Sequence, residues 1–329
     1  MKVAVVIPYF QRQQGVLRRS LRSVMAQSLA PDVVVIVDDQ SPVPAEGELA
    51  ELPDAWRARV KKISRQNGGP GAARNTGIDS VSGEATYIAF LDSDDEWSAD
   101  HLENAIAALG REQDVYFSNY MDIDDSIDGF TRRGVTSLSG HPCIGGVDYL
   151  RLFPTKMFDQ ILNANLMQLS TTVYRLAVAP TVRFRTEYRR AGEDMLFFLD
   201  LASRTNRYCY SNQVEVTYGR GVNVYRSAVA GDPAAFDRIR DEVRFRRAVL
   251  NGFTLDAAQR VTARRSLARV RKDFAAEVLH RLRRRPAGVF RCCLRQFTED
   301  PASALLLAPN LVACVWGWLQ LRVSKGGAQ

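Results

Sequence analysis

Four carboxylates stand within five positions, directly after the apolar residues 86–91: Asp92, Asp94, Asp95 and Glu96. Carboxylates placed this closely repel one another, and a hard divalent cation bound through their oxygens removes that cost. A bound Mg²⁺ or Mn²⁺ would in turn hold the diphosphate of a ligand. The cluster therefore predicts a metal and diphosphate site. A solvated acidic loop that caps the next helix is the alternative.

Two earlier apolar runs end in side chains suited to a nucleoside. Pro8 and Tyr9 close the first run, and Asp39 closes the second. In a parallel sheet, the carboxyl ends of the strands border the crevice that binds ligands. There Asp39 can accept hydrogen bonds from a ribose hydroxyl or a base N–H group, and the Tyr9 ring can cover a base. An Asx turn that merely closes the strand explains the acid equally well.

A glycine-rich turn leads into a helical segment at residues 66–75, which read QNGGPGAARN. Small residues let the backbone approach an anion at a helix N-terminus, and Arg74 adds a permanently charged fork that suits a diphosphate. Glycine turns before helices are common, however. This spacing matches neither the dinucleotide-binding fingerprint nor the Walker A loop, so the turn supports a nucleotide site only together with the acids.

Glu193 and Asp194 open an apolar helical run that ends near Ala202. A carboxylate in the first turn is stabilised by the helix dipole, so capping alone accounts for either residue. In the company of three strand-end motifs, a carboxylate here also suits a general base that takes a proton from an acceptor hydroxyl group.

The elements that would position these residues alternate between strand and helix. Apolar runs predict strands near residues 2–7, 33–37, 86–91 and 115–118, with helical spacing of apolar residues between them. This alternation predicts an α/β domain with a mainly parallel sheet flanked by helices. From about residue 233 the chain reads as successive helices, which predicts a helical C-terminal extension.

The C-terminal extension is first basic and then apolar. Residues 260–295 hold 12 Lys and Arg against two acids, a density that suits an anionic surface. Residues 302–321 carry no charge and, as a helix, would be about 30 Å long, enough to span a bilayer. Pro309 in mid-run and tryptophans at positions 316 and 318 favour a peripheral or re-entrant anchor. A helical subdomain with both tryptophans in its core is the alternative.

The rest of the composition is ordinary for a globular chain of 329 residues, with 46% hydrophobic and 25% charged residues. Five cysteines without a CxxC pair indicate neither a disulfide framework nor a zinc site. The first apolar run is too short for a secretory signal, and no recognition motif for nucleic acid accompanies the basic run. We expect a cytoplasmic protein, peripheral on the inner face of the cell membrane, that does not bind nucleic acid.

Taken in order, these segments resemble family 2 glycosyltransferases of the GT-A fold. The resemblance rests on five stretches: VVIPY at 5–9, VDDQS at 37–41, GAARN at 71–75, FLDSDD at 90–95 and GED at 192–194. It implies a catalytic domain over about residues 1–225, with the nucleotide-sugar half at 1–120 and the acceptor half at 121–225. The helical region would then occupy residues 226–329.

The resemblance also implies roles for individual residues. The residues expected to bind the donor are Pro8, Tyr9, Asp39, Arg74, Asp92 and Ser93. Asp92 and Asp94 would form the DxD element, with Asp94 as the direct ligand of Mn²⁺ or Mg²⁺. Asp194 would be the catalytic base of an inverting reaction, and Glu193 would support it.

Together these expectations describe a metal-dependent enzyme that moves one sugar from a nucleotide-diphosphate donor, with UDP favoured. The acceptor would be a hydroxyl group of a glycan or polyprenyl-linked glycan in the synthesis of a surface polysaccharide or glycoconjugate. The QxxRW-type motif of processive family members is replaced by YGRGVN at 218–223, which predicts single transfers. Arg220 or Asn223 would then close over the diphosphate.

Three points stay open in the sequence. His101, His141 and His280 are not placed to supply a third metal ligand, and we expect structural or solvent-facing roles for them. A noncatalytic protein that binds nucleotide sugars or serves in assembly is one alternative function. A sugar nucleotidyltransferase is another, but it would show a GxGxR-type loop after the first strand, where FQRQQ stands at 10–14.

Overall fold

The computed structural model describes residues 1–135, 140–221, 233–284 and 287–326, with side chains in the last segment as far as Trp316. By their contacts these residues form two compact units. The first comprises Met1–Glu187 and Glu193–Val222, and the second comprises Tyr188–Gly192 and Asn223–Gln329. The functional division of the first unit near residue 120 stays a prediction.

The first unit is built on one ten-stranded sheet. Its strands are β1 (Val3–Tyr9), β2 (Val33–Asp38), β3 (Val60–Ser64), β4 (Tyr87–Phe90), β5 (Glu96–Trp97), β6 (Val115–Asp122), β7 (Cys143–Ile144), β8 (Val147–Leu152), β9 (Val173–Arg175) and β10 (Tyr208–Tyr218). The spatial order is β3-β2-β1-β4-β9-β6-β10-β8-β7, and β5 pairs with β10. Strands β3, β2, β1 and β4 pair with one another in parallel, and β6 pairs in parallel with β10. The other pairs are antiparallel.

Helices accompany this sheet along the chain. They are α1 (Val16–Met25), α2 (Glu46–Leu49), α3 (Asp54–Arg57), α4 (Pro70–Asp79), α5 (His101–Leu109), α6 (Gly129–Arg132), α7 (Met157–Ala164) and α8 (Glu193–Ala202). Helix α1 shows why they form: Leu17, Leu21 and Val24 fall on one side and are buried in the core. Each such side chain contributes about 1.5–3 kcal/mol through burial.

The central strands are apolar at nearly every position because both faces of the sheet are covered. Residues 3–7 of β1 and 34–37 of β2 are almost completely buried. The parallel register places Pro8 beside Val37 and Tyr9 beside Asp38, so the predicted nucleoside residues share one edge of the sheet. Helix α4 packs closely on β1, since a Cβ atom on Gly77 would lie 2.3 Å from Val6.

The second unit is helical. Its helices are α9 (Pro233–Gly252), α10 (Ala257–Arg284), α11 (Val289–Glu299), α12 (Pro301–Leu305) and α13 (Leu307–Gly326). Its core contains the side chains of Phe236, Ile239, Val243, Leu267, Val270, Phe274, Val278, Val289 and Cys293. Within the described residues, no helix combines the length and the apolar character needed to cross a membrane.

The sequence predictions of fold are confirmed: a mainly parallel mixed sheet is flanked by helices and followed by a helical C-terminal region. The alternative with both tryptophans in a helical core does not hold for Trp316, which is 63% exposed. The side chain of Trp318 lies outside the described residues. All five cysteines are free thiols.

Candidate functional site

The acid loop, residues 91–95, follows β4 and is fixed by Ser170. The backbone N–H of Asp92 donates to Ser170 Oγ at 3.0 Å, and that hydroxyl donates to Asp95 Oδ2 at 2.6 Å. Ser170 is fully buried in a 3-10 turn that precedes β9. Its carbonyl accepts a 2.7 Å hydrogen bond from the indole of Trp97. One serine therefore ties both ends of the acid loop to the neighbouring strand.

The backbone after β10 contacts the same loop from another side. Gly219 N donates to Asp95 Oδ1 at 3.0 Å, and Gly221 N donates to Asp94 Oδ2 at 2.8 Å. A Cβ atom on Gly219 would lie 1.7 Å from the Asp94 carbonyl oxygen, and one on Gly221 would lie 2.5 Å from Asp94 Oδ2. Only glycine fits this close approach of two backbones.

The acids of the loop therefore serve different purposes. Asp95 is 2% exposed and accepts hydrogen bonds from Ser170 and Gly219, so its carboxylate holds the loop in place. Burial, and then the charges of Asp92 and Asp94, raise the pKa of Asp95 well above its usual range. Burial, and then the charge of Asp92, also raise the pKa of Asp94. Glu96 lies beyond the loop in β5 and accepts a 2.8 Å hydrogen bond from Arg19.

Arg74 joins the acid loop to the start of α8. Its Nη2 donates to Asp92 Oδ1 at 2.5 Å, and its Nη1 lies 3.8 Å from Glu193 Oε1. The guanidinium also lies over the Phe184 ring, 5.5 Å from its centroid. Asn75 holds Phe184 there, because its side chain exchanges two hydrogen bonds with the Phe184 backbone. Arg74 thus connects two stretches of chain that are distant in sequence.

Arg74 is 3% exposed and stays charged inside the protein. Burial opposes its charge, but the negative charge of Asp92 and the neighbouring Glu193 carboxyl group outweigh that effect and raise the pKa of Arg74. Within the described part of the chain, its Nε and Nη1 atoms are buried without a hydrogen-bond partner. A buried N–H group without a partner is costly, so these two groups are suited to bind oxygen atoms of a ligand. The predicted contact of Arg74 with a diphosphate stays a prediction.

Glu193 and Asp194 lie in the first turn of α8, as predicted. Burial, and then the charge of Asp194, raise the pKa of Glu193 to about 8. Burial also raises the pKa of Asp194, whose Oδ1 accepts a 2.7 Å hydrogen bond from Met195 N. The charge of Asp92 contributes to both shifts, so the α8 acids and the acid loop share one electrostatic environment.

The turn before α4 is fastened by Asp39. Its carboxylate is 2% exposed and accepts hydrogen bonds from Gly68 N at 3.0 Å and Gly69 N at 2.7 Å, with Arg65 Nε at 3.3 Å. These contacts place the N-terminus of α4, which carries Arg74, next to the end of β2. Asp39 therefore shapes the glycine turn, apart from its predicted contact with a nucleotide base.

The side chains at the end of β1 differ in access. Pro8 is partly exposed, whereas Tyr9 is completely buried in the core and its hydroxyl donates to Glu48 at 3.4 Å. Burial, and then the charge of Glu48, raise the pKa of Tyr9. The expectation that the Tyr9 ring covers a base does not fit this structure, because no face of the ring is accessible.

Ser93 is held by a residue that the sequence did not single out. Gln11 is 4% exposed, and its Nε2 donates to Ser93 Oγ at 3.0 Å. The backbone N–H and carbonyl of Gln11 both bond to the hydroxyl of Ser41, in the loop after β2. Gln11 thereby links the ends of β1 and β2 to the acid loop.

The three histidines and Arg220 lie outside the acid loop. His101 Nδ1 lies 2.9 Å from Glu215 Oε2, and His141 Nδ1 lies 2.8 Å from the Tyr210 hydroxyl. His280 lies in α10, in the second unit. Arg220 is exposed and pairs with Asp124, and Asn223 lies outside the described residues.

Metal binding by the acid loop stays a prediction. Among the residues with described positions, no group of three or more His, Cys, Asp or Glu side chains is arranged to hold a metal ion. Asp92 and Asp94 are each held through one carboxylate oxygen, by Arg74 and Gly221. The other oxygen of each carboxylate suits Mg²⁺ or Mn²⁺, because a cation there would relieve the repulsion between the two carboxylates. Both ions commonly complete their coordination shells with phosphate and water.

Comparisons with known proteins concern the family of the chain. The family model described as "Glycosyl transferase family 2" matches residues 4–169. The succinoglycan biosynthesis protein ExoW of Rhizobium meliloti is 36% identical over 233 residues, which cover 69% of this chain and 71% of that protein. The glycosyltransferase GlyA of Streptococcus pneumoniae is 32% identical over 126 residues, which cover 38% of this chain and 18% of that protein.

Solved structures of S. aureus TarS share the fold. TarS 1–349 superposes with a TM-score of 0.54 at 18% identity, covering 95% of this chain and 80% of that one. The same fragment in complex with UDP-GlcNAc gives a TM-score of 0.53 at 21% identity, covering 88% of this chain and 75% of that one. At these identities the likeness concerns the fold alone.

Proposed function

The chain belongs to glycosyltransferase family 2, and from this premise we propose that it moves one sugar at a time from a nucleotide-diphosphate sugar to a hydroxyl acceptor. This family membership does not support the alternative function of a sugar nucleotidyltransferase. A UDP-sugar is the favoured donor, and the complex of TarS with UDP-GlcNAc supports this choice. A noncatalytic role is the alternative that donor turnover would exclude.

One observation carries the proposal. Arg74 donates to Asp92 in the acid loop and lies 3.8 Å from Glu193, the neighbour of Asp194. Residues proposed to bind the donor and residues proposed to activate the acceptor are therefore adjacent at one edge of the sheet. A transferase needs this arrangement, because both substrates must meet in one cavity.

The donor would be held mainly by the ends of β1, β2 and the acid loop. We assign the nucleoside to the edge formed by Pro8 and Asp39, with the buried Tyr9 supporting that edge from the core. Ser93 and Asp92 would contact the ribose and sugar. The two buried N–H groups of Arg74 that lack partners in the described structure are available for oxygen atoms of the donor.

A divalent ion, Mn²⁺ or Mg²⁺, would be held by Asp94 with Asp92 beside it. When bound, it would stabilise the negative charge that grows on the leaving diphosphate. The chain's own contribution is the placement of the two carboxylates: Arg74 donates to that of Asp92, and the backbone N–H of residue 221 donates to that of Asp94. Ser170 and Gly219 hold the rest of the loop through Asp95.

Asp194 would act as the general base. Its carboxylate takes the proton of the acceptor hydroxyl as that oxygen bonds to the anomeric carbon, while the bond from this carbon to the diphosphate oxygen breaks on the opposite face of the sugar. The configuration at the carbon is thereby inverted. Glu193 supports the base: with a pKa of about 8 it retains its proton at neutral pH, so it adds no second negative charge beside Asp194.

The product would be a surface polysaccharide or glycoconjugate, in line with the role of the R. meliloti relative in succinoglycan biosynthesis. We propose a glycan or polyprenyl-linked glycan as acceptor, and hence a place on the cytoplasmic face of the cell membrane, to which the protein is peripherally bound.

A donor screen tests this function. Titration calorimetry with a panel of nucleotide sugars and free nucleotides, with and without Mn²⁺, should show one nucleotide class that binds more tightly when the ion is present. Slow hydrolysis of the matching sugar donor should follow. If no nucleotide or nucleotide sugar binds under either condition, the proposed transferase activity is wrong.

A further inference from the structure

The second unit carries large apolar side chains that its core does not use. Phe290 and Leu294 on α11 are 81% and 54% exposed, and Leu305, Val312 and Trp316 on α12 and α13 are 81%, 70% and 63% exposed. We refer to these five residues, together with Arg291 and Arg295, as the tail surface. Exposed apolar groups in such number are typical of a surface that meets a partner or a membrane.

Helical spacing gathers these residues on the outer sides of their helices. Phe290 and Leu294 are four positions apart, while Val289 and Cys293 of the same helix are buried in the core. Val312 and Trp316 are likewise four apart, which is the separation of neighbours on one helix face. The inner side of each helix therefore packs on the unit, and the outer side is left apolar.

Two arginines of the tail surface lack the carboxylate partners that several arginines of the other helices have. On α9 and α10, carboxylates form the pairs Arg238–Glu242, Arg244–Asp241, Arg246–Glu242, Arg271–Asp300 and Arg281–Glu277. Arg291 and Arg295 are exposed on α11, and no carboxylate pairs with either of them in the part of the chain that the structure describes. Their positive charge thus remains uncompensated beside Phe290 and Leu294.

We propose that the tail surface docks on an anionic lipid bilayer. The inference rests on the proposed function, whose membrane-bound acceptor it would bring within reach, and it assigns the contact to named residues. The apolar side chains enter the boundary between headgroups and acyl chains, and Arg291 and Arg295 lie among the anionic headgroups. Trp316 suits the same depth, since its ring combines an apolar body with an N–H donor.

Charge distribution favours a bilayer over a protein partner. Residues 287–298 contain no acid, and residues 301–321 contain no charge of either sign. Glu299 and Asp300, which separate these two segments, pair with arginines of α9 and α10. The basic and apolar segment and the apolar one suit the headgroup and acyl-chain layers of a bilayer surface. The helix geometry agrees with a peripheral position, because none of the described helices is suited to cross the membrane.

Co-sedimentation of the full chain with vesicles tests the proposal. The protein should bind phosphatidylglycerol-containing vesicles and lose affinity as salt rises or when pure phosphatidylcholine replaces them. R291E/R295E and F290S/L294S should each weaken binding on the order of tenfold or more. R22E/R204E and V261S are the controls, because they change exposed residues outside the tail surface in the same ways and should bind nearly as the parent does.

Two further measurements keep the result decisive. Thermal melts should show that all variants are folded, and donor hydrolysis without vesicles should be unchanged, since none of the changed residues belongs to the proposed machinery. Equal binding by R291E/R295E and the parent would overturn the proposal. So would a parent dimer that F290S/L294S converts to monomers, because the surface would then join two copies. Vesicle binding without donor turnover would instead reject the proposed function alone.

Discussion

Arg74 and Asp92 are joined by a 2.5 Å hydrogen bond in which the guanidinium is almost entirely buried. The partner carboxylate is one-third exposed at the side chain, so the pair links the interior to an accessible surface. A buried arginine of this kind fixes the carboxylate's position and also supplies positive charge at the site.

Replacing Arg74 should therefore affect activity and stability together. We expect R74Q to lower the free energy of unfolding by about 3–5 kcal/mol, since it leaves the acids near α8 and the acid loop without their counter-charge. R74K should retain part of the stability but little turnover, because an ammonium group cannot keep the fork geometry. Urea denaturation and donor hydrolysis measure the two effects. R183K, at an exposed pair with Asp79, should change neither.

Asp194 should matter for turnover and little for donor binding. If it is the general base, D194N should reduce kcat by about 10²- to 10⁴-fold while the Kd of the donor stays nearly constant. Steady-state kinetics and calorimetry separate the two quantities. D200N is the matched control on the same helix, where Asp200 pairs with Arg185. A D194N enzyme with parental kcat would remove Asp194 from the mechanism.

Replacing Asp94 should weaken metal binding without lowering the stability of the fold. Burial and the neighbouring charge of Asp92 disfavour its ionised form, so D94N should unfold at the same or a higher temperature than the parent in EDTA. Calorimetric titration of Mn²⁺ in the presence of nucleotide should show at least about tenfold weaker binding. Unchanged Mn²⁺ affinity would contradict the proposed metal position.

Two buried serines allow a test of how the acid loop is held. S170A removes the hydroxyl that bonds to Asp92 N and Asp95 and should cost about 1–3 kcal/mol of unfolding free energy. Ser118 is equally buried, and its hydroxyl has no hydrogen-bond partner in the described structure. S118A should therefore be neutral or slightly stabilising. An equal loss of unfolding free energy in S170A and S118A would show that the effect of S170A arises from packing alone.

The raised pKa of Glu193 predicts how stability depends on pH. In the unfolded chain this carboxyl loses its proton near its ordinary pKa, whereas in the folded protein it does so only near pH 8. Its contribution is therefore fully present below the lower value and is lost as pH rises through about 8. Between pH 6 and 9 we expect a loss of about 2–3 kcal/mol that E193Q does not show. The exposed variant E84Q should follow the parent in urea unfolding at both pH values.

The sequence indicated the main elements because its apolar runs are long and uninterrupted. Strands β1, β2, β4 and β6 lie where Val- and Ile-rich runs predicted them. Strand β3 was missed because VKKIS places two lysines on a half-exposed edge strand, where no apolar run develops. The pairing of β3 with β2 is a tertiary contact, and the local sequence pattern does not reveal it.

The candidate site divides in a similar way. Acids that stand together in the sequence, such as Asp92 and Asp94, could be recognised by their spacing. Ser170 and Gln11 carry no such signal, since a serine in a short turn and a glutamine after a strand are common. Their importance arises from tertiary contacts that join them to the acid loop. The burial of Tyr9 likewise depends on α2, where Glu48 accepts a hydrogen bond from the Tyr9 hydroxyl.

The backbone hydrogen bonds from Gly219 and Gly221 also bear on redesign of the enzyme. Two of the loop carboxylates are held there by main-chain N–H groups, which every amino-acid exchange at the intervening position would preserve. Arg220, whose side chain is exposed between them, is thus a position that randomised libraries can vary while both bonds are kept. Both glycines should be kept constant in such libraries, because any larger residue would push the acids out of place.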